Sequence, residues 1–202
     1  MPLPDVTPSR VGGDVAVDFL NTVGWRLDPS RRHETLPSYL HLLAWVKQSA
    51  LVSSAEVEPL TRQANEQPEL AAAEHALVVE MREDTYNALN EDGHPGVLQH
   101  LLLSAHANSQ LHRESDGAWR WTPTTLDLAT PRHRLALEFA RLLTSDSVAR
   151  FHRCEDQHCG WVFLDASRQH NRRWCSSADC GNRNRVRAHY VRSKGSSPAD
   201  SR

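Results

Sequence analysis

The sequence has no long apolar run, and no apolar stretch approaches the ~18 residues that a membrane-spanning helix requires. Its first residues, Met1-Pro2-Leu3-Pro4-Asp5, also lack the basic and apolar regions of a secretory signal peptide. Both absences argue against a membrane-bound or secreted protein. We therefore expect a cytoplasmic protein with no membrane partner, in which thiols stay reduced.

Several catalytic motifs are also missing. The sequence contains no Gly-rich phosphate loop, no H-E-x-x-H pair and no G-x-S-x-G turn. The full signature of the zinc deaminases, H-x-E with P-C-x-x-C, is absent as well. On these grounds we do not expect an enzyme.

Charge is unevenly distributed, although the formal net charge is only −2. Residues 150–194 hold ten Lys and Arg against four Asp and Glu, a net charge of +6. Residues 1–149 hold 12 basic and 20 acidic residues, a net charge of −8. A basic segment on an acidic body predicts two modules, of which the second faces a polyanion.

The first 149 residues show mainly helical patterns. Apolar residues recur at helical spacing in six stretches, which begin near Val15, Leu36, Ser53, Pro68, Val97 and Pro131. Val23 is assigned to the first helix, Pro37 to the first position of the second, and Asp92-Gly93 to the end of the fourth. Residues 53–56 form a predicted capping box. The predicted inward residues of the fourth helix are Leu70, Ala73, Leu77, Met81 and Ala88.

The period changes after the fifth helix. Asp116-Gly117 is typical of a hairpin turn, and Trp119 and Trp121 alternate after it. We therefore predict a mainly α fold with three parts. A helical domain with a small β-hairpin covers residues 1–149, a treble-clef or ribbon-like four-cysteine zinc finger covers residues 150–194, and a disordered tail covers residues 195–202.

All four cysteines form two C-x4-C pairs separated by fifteen residues: Cys154, Cys159, Cys175 and Cys180. Four thiolates fill the tetrahedral shell that zinc prefers and leave no position for a reactive water, so we predict one structural zinc ion. The zinc–thiolate group contributes −2, which leaves the basic segment near +4. Two alternatives stay open: a disulfide pairing, and replacement of one cysteine by His152, His158 or His170.

Arginines surround the second cysteine pair. The candidates for DNA contact are Arg168, Arg172, Arg173, Arg183, Arg185 and Arg187. A basic helix that begins at a zinc knuckle commonly reaches nucleic acid. For any one arginine the alternative is a solvated surface charge, and Arg183 could instead support the knuckle. Between the pairs, Trp161 and Phe163 more often form the finger's core than stack on bases.

Polar residues cluster at the exit of the first helix. Asn21, Trp25 and Arg26 are candidates for a small-molecule site, because polar groups beside an aromatic ring give a mainly apolar pocket its selectivity. The alternative is structural, with Asp18 and Asn21 capping or bridging neighbouring helices.

Several of these motifs together resemble known families. Residues 163–165, 172–175 and 180–183 are FLD, RRWC and CGNR, in an order that resembles the CGNR zinc finger family. Residues 17–22, VDFLNT, resemble the DF-x-NT opening of the ABATE domain that precedes this finger. The resemblance implies a bacterial, stress-induced transcriptional regulator, in which the finger binds DNA and the front domain senses a small molecule.

Two functions therefore compete: a DNA-binding regulator, and a zinc-stabilised adaptor that binds other proteins and no DNA. The expected partner is double-stranded DNA, while a small-molecule effector and a homodimer stay open. We also expect the helical domain to keep its fold without zinc, because it has apolar residues for a core of its own.

Overall fold

A computed structural model of the chain describes residues 3–91 and 93–195. Within these ranges it contains seven α-helices and three two-stranded antiparallel sheets. The helices are α1 (Val15–Leu20), α2 (Tyr39–Gln48), α3 (Ser54–Glu66), α4 (Pro68–Asn90), α5 (Gly96–Ala107), α6 (Thr130–Leu143) and α7 (Asn182–Gly195). The strands are β1 (Val23–Gly24), β2 (His33–Glu34), β3 (Ser109–Arg113), β4 (Trp119–Pro123), β5 (Phe151–Arg153) and β6 (Val162–Leu164). The mainly α prediction is confirmed, and none of the described helices is long and apolar enough to cross a membrane.

Local sequence signals place most of the helix starts. The capping box at α3 is present, and the backbone N–H of Ser53 donates to Oε2 of Glu56 at 2.8 Å. Pro68 and Pro131 lie in the first turns of α4 and α6, where no intrahelical partner for their nitrogen is needed. Asp14 caps α1 by accepting from the backbone N–H of Ala16 at 2.9 Å.

Two predicted boundaries shift, and two others lie at the limits of the described chain. Pro37 precedes α2 instead of opening it, since Ser38 is the N-cap and the helix begins at Tyr39. Val23 does not continue α1, because the helix ends at residue 20 and Val23 enters strand β1. The predicted helix stop at Asp92 lies outside the described residues, as does the predicted tail except Gly195, which ends α7.

The buried face of α4 also differs from the prediction. Leu70 is 48% exposed and Ala73 is exposed, although both were assigned to the core. Arg82 is buried instead, and its guanidinium binds the carboxylate of Glu34 and the hydroxyl of Thr22. A charged side chain at a core position rotates the inward face away from the apolar pattern, which assumes that arginine lies outside.

Helix α1 lies at the centre of the hydrophobic core. The ring of Phe19 meets Trp45 of α2 edge-on, with 5.2 Å between centroids, and Phe139 of α6 at 6.1 Å. All three side chains are fully buried. Aromatic side chains bury large areas, so these contacts fix α1 between α2 and α6.

The predicted hairpin is present. β3 pairs with β4, Leu111 lies opposite Trp121, and Gly117 adopts a φ of +84° in the connecting turn. A positive φ is readily adopted by glycine, which explains the Asp-Gly signal.

The finger and the helical domain share one core. Val162 and Leu164 of β6 are buried in the same apolar cluster as α1, α2 and α6. The backbone N–H of Leu164 donates to the carbonyl of Gly12 at 2.8 Å. Strand β6, the last strand among the described residues, therefore packs against the segment that precedes α1.

Candidate metal centre and its contact with the helical domain

The four cysteines come together in one buried group. Their sulfur atoms all lie within 4.8 Å of one another, and two of the separations are 3.6 Å (Cys159 to Cys175) and 3.4 Å (Cys175 to Cys180). A tetrahedral zinc with Zn–S bonds of about 2.3 Å needs S···S edges of about 3.8 Å. The group therefore fits one zinc ion, and a disulfide is absent from it.

Electrostatics within the group favour a bound cation. Hydrogen bonds with Cys159 and Cys175 lower the pKa of the Cys154 thiol, whereas hydrogen bonds with Cys154 and Cys159 raise the pKa of the Cys175 thiol. Four adjacent sulfurs cannot all ionise without a compensating positive charge. Zinc supplies that charge and would hold all four as thiolates.

The nearby histidines do not join the sulfurs. Among the described residues, the four cysteines are the one group of metal-binding type. His158 Nδ1 instead lies 3.7 Å from Asp28, His170 Nδ1 contacts the carbonyl of Asp165 at 3.3 Å, and the His152 ring lies against Phe163.

The first cysteine loop is held by a buried acid. Asp156 is 1% exposed, and its carboxylate accepts from the backbone N–H of His158 at 3.0 Å. Its other oxygen accepts from Nε of Arg183 and Nδ2 of Asn184, each at 3.1 Å. Because Arg183 and Asn184 lie in the first turn of α7, Asp156 ties the first loop to the helix that follows the second.

Arg183 also touches the metal group directly. Its Nη2 lies 2.8 Å from the sulfur of Cys180. A guanidinium at this position offsets part of the negative charge of a zinc–tetrathiolate group and orients its ligand. The supporting role considered for Arg183 in the sequence therefore has a geometric basis.

Asn21 joins α1 to the finger. Its Nδ2 donates to the carbonyl of Val162 at 2.9 Å, and its Oδ1 accepts from the N–H of the same residue at 2.8 Å. Asn21 is 3% exposed, so the amide satisfies both backbone groups of Val162 on the edge of β6 that does not pair with β5. One turn earlier, Asp18 accepts from the backbone N–H of Gly12, the residue that binds Leu164.

The loop after Cys159 is enclosed by the helical domain. The backbone N–H of Arg26 donates to the carbonyl of Cys159 at 2.9 Å. The hydroxyl of Tyr86 donates to the carbonyl of Gly160 at 2.7 Å. The Arg26 guanidinium lies 4.1 Å from the Tyr86 ring centroid and binds Glu83 at 2.6 Å. These bonds from Arg26 and Tyr86 therefore hold Gly160, the residue that follows the zinc ligand Cys159.

Comparison with known families agrees with this arrangement. Residues 13–146 match the ABATE domain, described as "putative stress-induced transcription regulator", and residues 150–193 match the CGNR zinc finger. The chain belongs to the ABATE family. Both resemblances seen in the sequence are confirmed, in the predicted order. A search of curated proteins finds no match.

The predicted ligand residues lie at the seam between the ABATE domain and the CGNR finger. Asn21 and Arg26 bind the finger, and two guanidiniums contact the Trp25 ring, that of Arg31 at 3.5 Å and that of Arg183 at 4.6 Å from its centroid. An open groove of about 820 Å³ lies elsewhere, between the N-terminal segment, α2 and α3. None of the three predicted residues lines that groove, whose walls include Asp5, Lys47, Val57 and Arg62.

The six candidate DNA arginines divide into two groups. Arg172 and Arg183 are bound within the protein: Arg172 donates to the carbonyls of Val11, Trp174 and Cys175 and lies 4.1 Å from the Phe163 ring centroid. The exposed members are Arg168, Arg173, Arg185 and Arg187. Two of these have local partners, Glu155 for Arg173 and the carbonyl of Ser177 for Arg185.

Sequence reasoning missed the seam itself. Tyr86, Gly160 and Asp156 carry no motif that marks them as partners of distant residues, and the separation of Asn21 and Val162 reaches 141 positions. The polar residues of the DF-x-NT motif, which lie in an otherwise apolar helix, were the available signal of a buried polar contact. One sequence could not show that Val162 is the partner of Asn21.

Proposed function

We propose that this ABATE-family protein is a cytoplasmic, non-enzymatic transcription regulator that binds duplex DNA through its finger. The observation that carries the proposal is the state of α7. Every side chain from Arg185 to Ser193 is exposed, including Val186 at 60% and Val191 at 64%. A helix that is fixed at its first turn by the zinc group and exposed beyond it can enter a groove.

Charge supports the same surface. The segment 150–194 has a net charge of +6, or near +4 with zinc and its four thiolates, whereas residues 1–149 have −8. Phosphates attract the first segment and are repelled by the second, so DNA is steered to the finger.

The exposed arginines are the proposed contacts. Arg185 and Arg187 lie on α7, while Arg168 and Arg173 lie in the loop before the second cysteine pair. We assign these four to phosphate or base contact. Arg172 and Arg183 are assigned to holding the loops in place, because both are half-buried and their guanidiniums bind the carbonyl of Cys175 and the sulfur of Cys180.

The ABATE domain is the proposed sensor. An effector that changed the loop of Trp25 and Arg26 would act on Arg183 and on the carbonyl of Cys159, both of which touch that loop. The contact of Trp25 with Arg183 supports the proposal, because it connects a loop of the ABATE domain directly to the first turn of α7.

The test is the salt dependence of duplex binding by the full, zinc-loaded chain. Phosphate contacts release counterions, so four arginines predict a slope of log affinity against log salt of roughly −3 to −4. Arg185→Ala and Arg187→Ala should each reduce the slope by about 1. Arg62→Ala, an exposed arginine of α3, is the matched control and should leave the slope unchanged.

The opposite outcome is also defined. If zinc-loaded protein binds no duplex at low salt, the regulator proposal fails and the adaptor function takes its place. If Arg185→Ala and Arg187→Ala both leave the salt-dependence slope unchanged, the DNA contact lies away from α7.

A further inference from the structure

The β3–β4 hairpin carries an apolar surface. Leu111 is 54% exposed, Trp119 is 64% exposed and Trp121 is 43% exposed. Leu111 and Trp121 are cross-strand partners, and Trp119 is two residues from Trp121, so all three project from one side of the sheet.

Helix α5 extends this surface. His106 meets the Trp121 ring edge-on at 5.0 Å between centroids. Leu103 lies one turn earlier on the same side of the helix and is 70% exposed. We call Leu103, Leu111, Trp119 and Trp121 the hairpin face.

The hairpin has little support from its own chain. Gln110, His112 and Arg120, which project from the other side, are exposed too. A two-stranded sheet without a covered side is marginally stable in water. Large exposed aromatic side chains that gather on such an element indicate a surface that is covered in the working protein.

Charge favours a partner that is itself uncharged at the contact. The segment 109–123 holds two arginines and two acids, and α5 has no Asp, Glu, Lys or Arg. The face is therefore neutral on a chain whose two parts are otherwise −8 and +6. Nucleic acid or a strongly charged protein finds no complement here, whereas a second copy meets no repulsion.

The available area also matches a homodimer. Four side chains of this size and exposure offer roughly 500 Å² of apolar surface. A standard interface buries about 800 Å² per partner, and homodimer interfaces are about 65% apolar, which is again roughly 500 Å². A two-fold axis would place each face on its copy, so that one patch serves both sides.

We propose that the hairpin face is the contact of a symmetric homodimer, with Trp119 and Trp121 as its anchors. The two tryptophans are the residue type that most often dominates binding at the centre of an interface. The proposal does not depend on DNA binding, since it uses none of the finger's residues.

The test is sedimentation equilibrium of the full, zinc-loaded chain without DNA. The expected mass is twice that of the 22.8 kDa chain. The double variant Trp119→Ser/Trp121→Ser should weaken association at least about tenfold, because it removes both anchors. Leu70→Ser, a 48% exposed leucine on α4, is the matched control and should keep the dimer.

A second variant separates loss of the contact from loss of the hairpin. Leu103→Glu changes α5 and no strand residue, and it adds a like charge to the face of each copy, so it should also give a monomer. Its circular-dichroism spectrum should match that of the wild type, because no strand residue is changed. A monomeric wild type at all concentrations, or a dimer that survives both variants, overturns the proposal.

Discussion

At the scale of single residues, Gly160 shows how closely the finger fits the ABATE domain. Its φ is +72°, and a Cβ at this position would lie 2.6 Å from Cβ of Arg26 and 3.1 Å from Cγ of Leu27. Both neighbours belong to the helical domain's loop, and Arg26 is fixed by Glu83. The position therefore has neither the space nor the backbone conformation for a side chain.

Gly160→Ala should lower the free energy of unfolding by about 1–3 kcal/mol, because it adds a strained backbone and a clash at the seam. Urea unfolding of zinc-loaded protein measures the change. Gly96→Ala at the start of α5 is the control: no atom lies within 4 Å of its Cβ position, so stability should stay the same or rise by up to about 1 kcal/mol. Equal midpoints for the two variants would contradict the proposed fit.

Asn21 gives a second prediction at this scale. Asn21→Ala removes both bonds to the backbone of Val162 and leaves a buried N–H and a buried C=O, at about 1–3 kcal/mol for each unpaired group. Thermal unfolding measures the loss. Exposed Asn65→Ala should change stability little. If Asn21→Ala kept full stability, its role at the seam would be excluded.

At the scale of elements, local signals predicted more than distant ones. The capping box of α3, the prolines of α4 and α6 and the Asp-Gly turn were readable because each depends on neighbours in sequence. The buried face of α4 was right at Met81 but wrong at Leu70 and Ala73, because Arg82 is buried by its bond to Glu34, 48 residues away. The four cysteines were readable because their spacing carries the chemistry, whereas nothing in the sequence marks Val162 as the partner of Asn21.

Strand β6 and helix α7 of the finger should differ in their protection against backbone hydrogen exchange. The backbone of β6 is buried in the shared core, while the described side chains of α7 are exposed on all sides after its first turn. A helix of this length with exposed side chains opens at little cost. Hydrogen exchange should therefore be fast beyond Val186 and slow across Val162–Leu164. Similar protection in both segments would mean that α7 is covered.

At the scale of the whole molecule, the shared core changes the expectation for zinc removal. The sequence predicted a helical domain that stays folded without the metal. The structure places Val162 and Leu164 in the core of that domain, and it links Cys159 to Arg26. We therefore expect one cooperative unit in place of two independent modules.

Removal of zinc by a chelator, or the change Cys175→Ser, should lower the melting temperature of the complete chain in a single transition. Exchange protection of α1 should fall together with that of β6, because Asn21 loses its partner. Chelator treatment of the Cys175→Ser variant is the control and should have no added effect. A helical domain that keeps its melting temperature without zinc would show that the modules are independent.

The pairing of Gly12 with Leu164 has a consequence for synthesis on the ribosome. Domains usually fold as they emerge, beginning with the N-terminal one. Here α1 is translated early, but β6, whose Val162 backbone pairs with Asn21, is translated 141 residues later. Until β6 has left the ribosome, these polar groups of α1 have no partner, so the ABATE domain completes its fold only after residues 162–164 emerge, next to the cysteines that bind the metal.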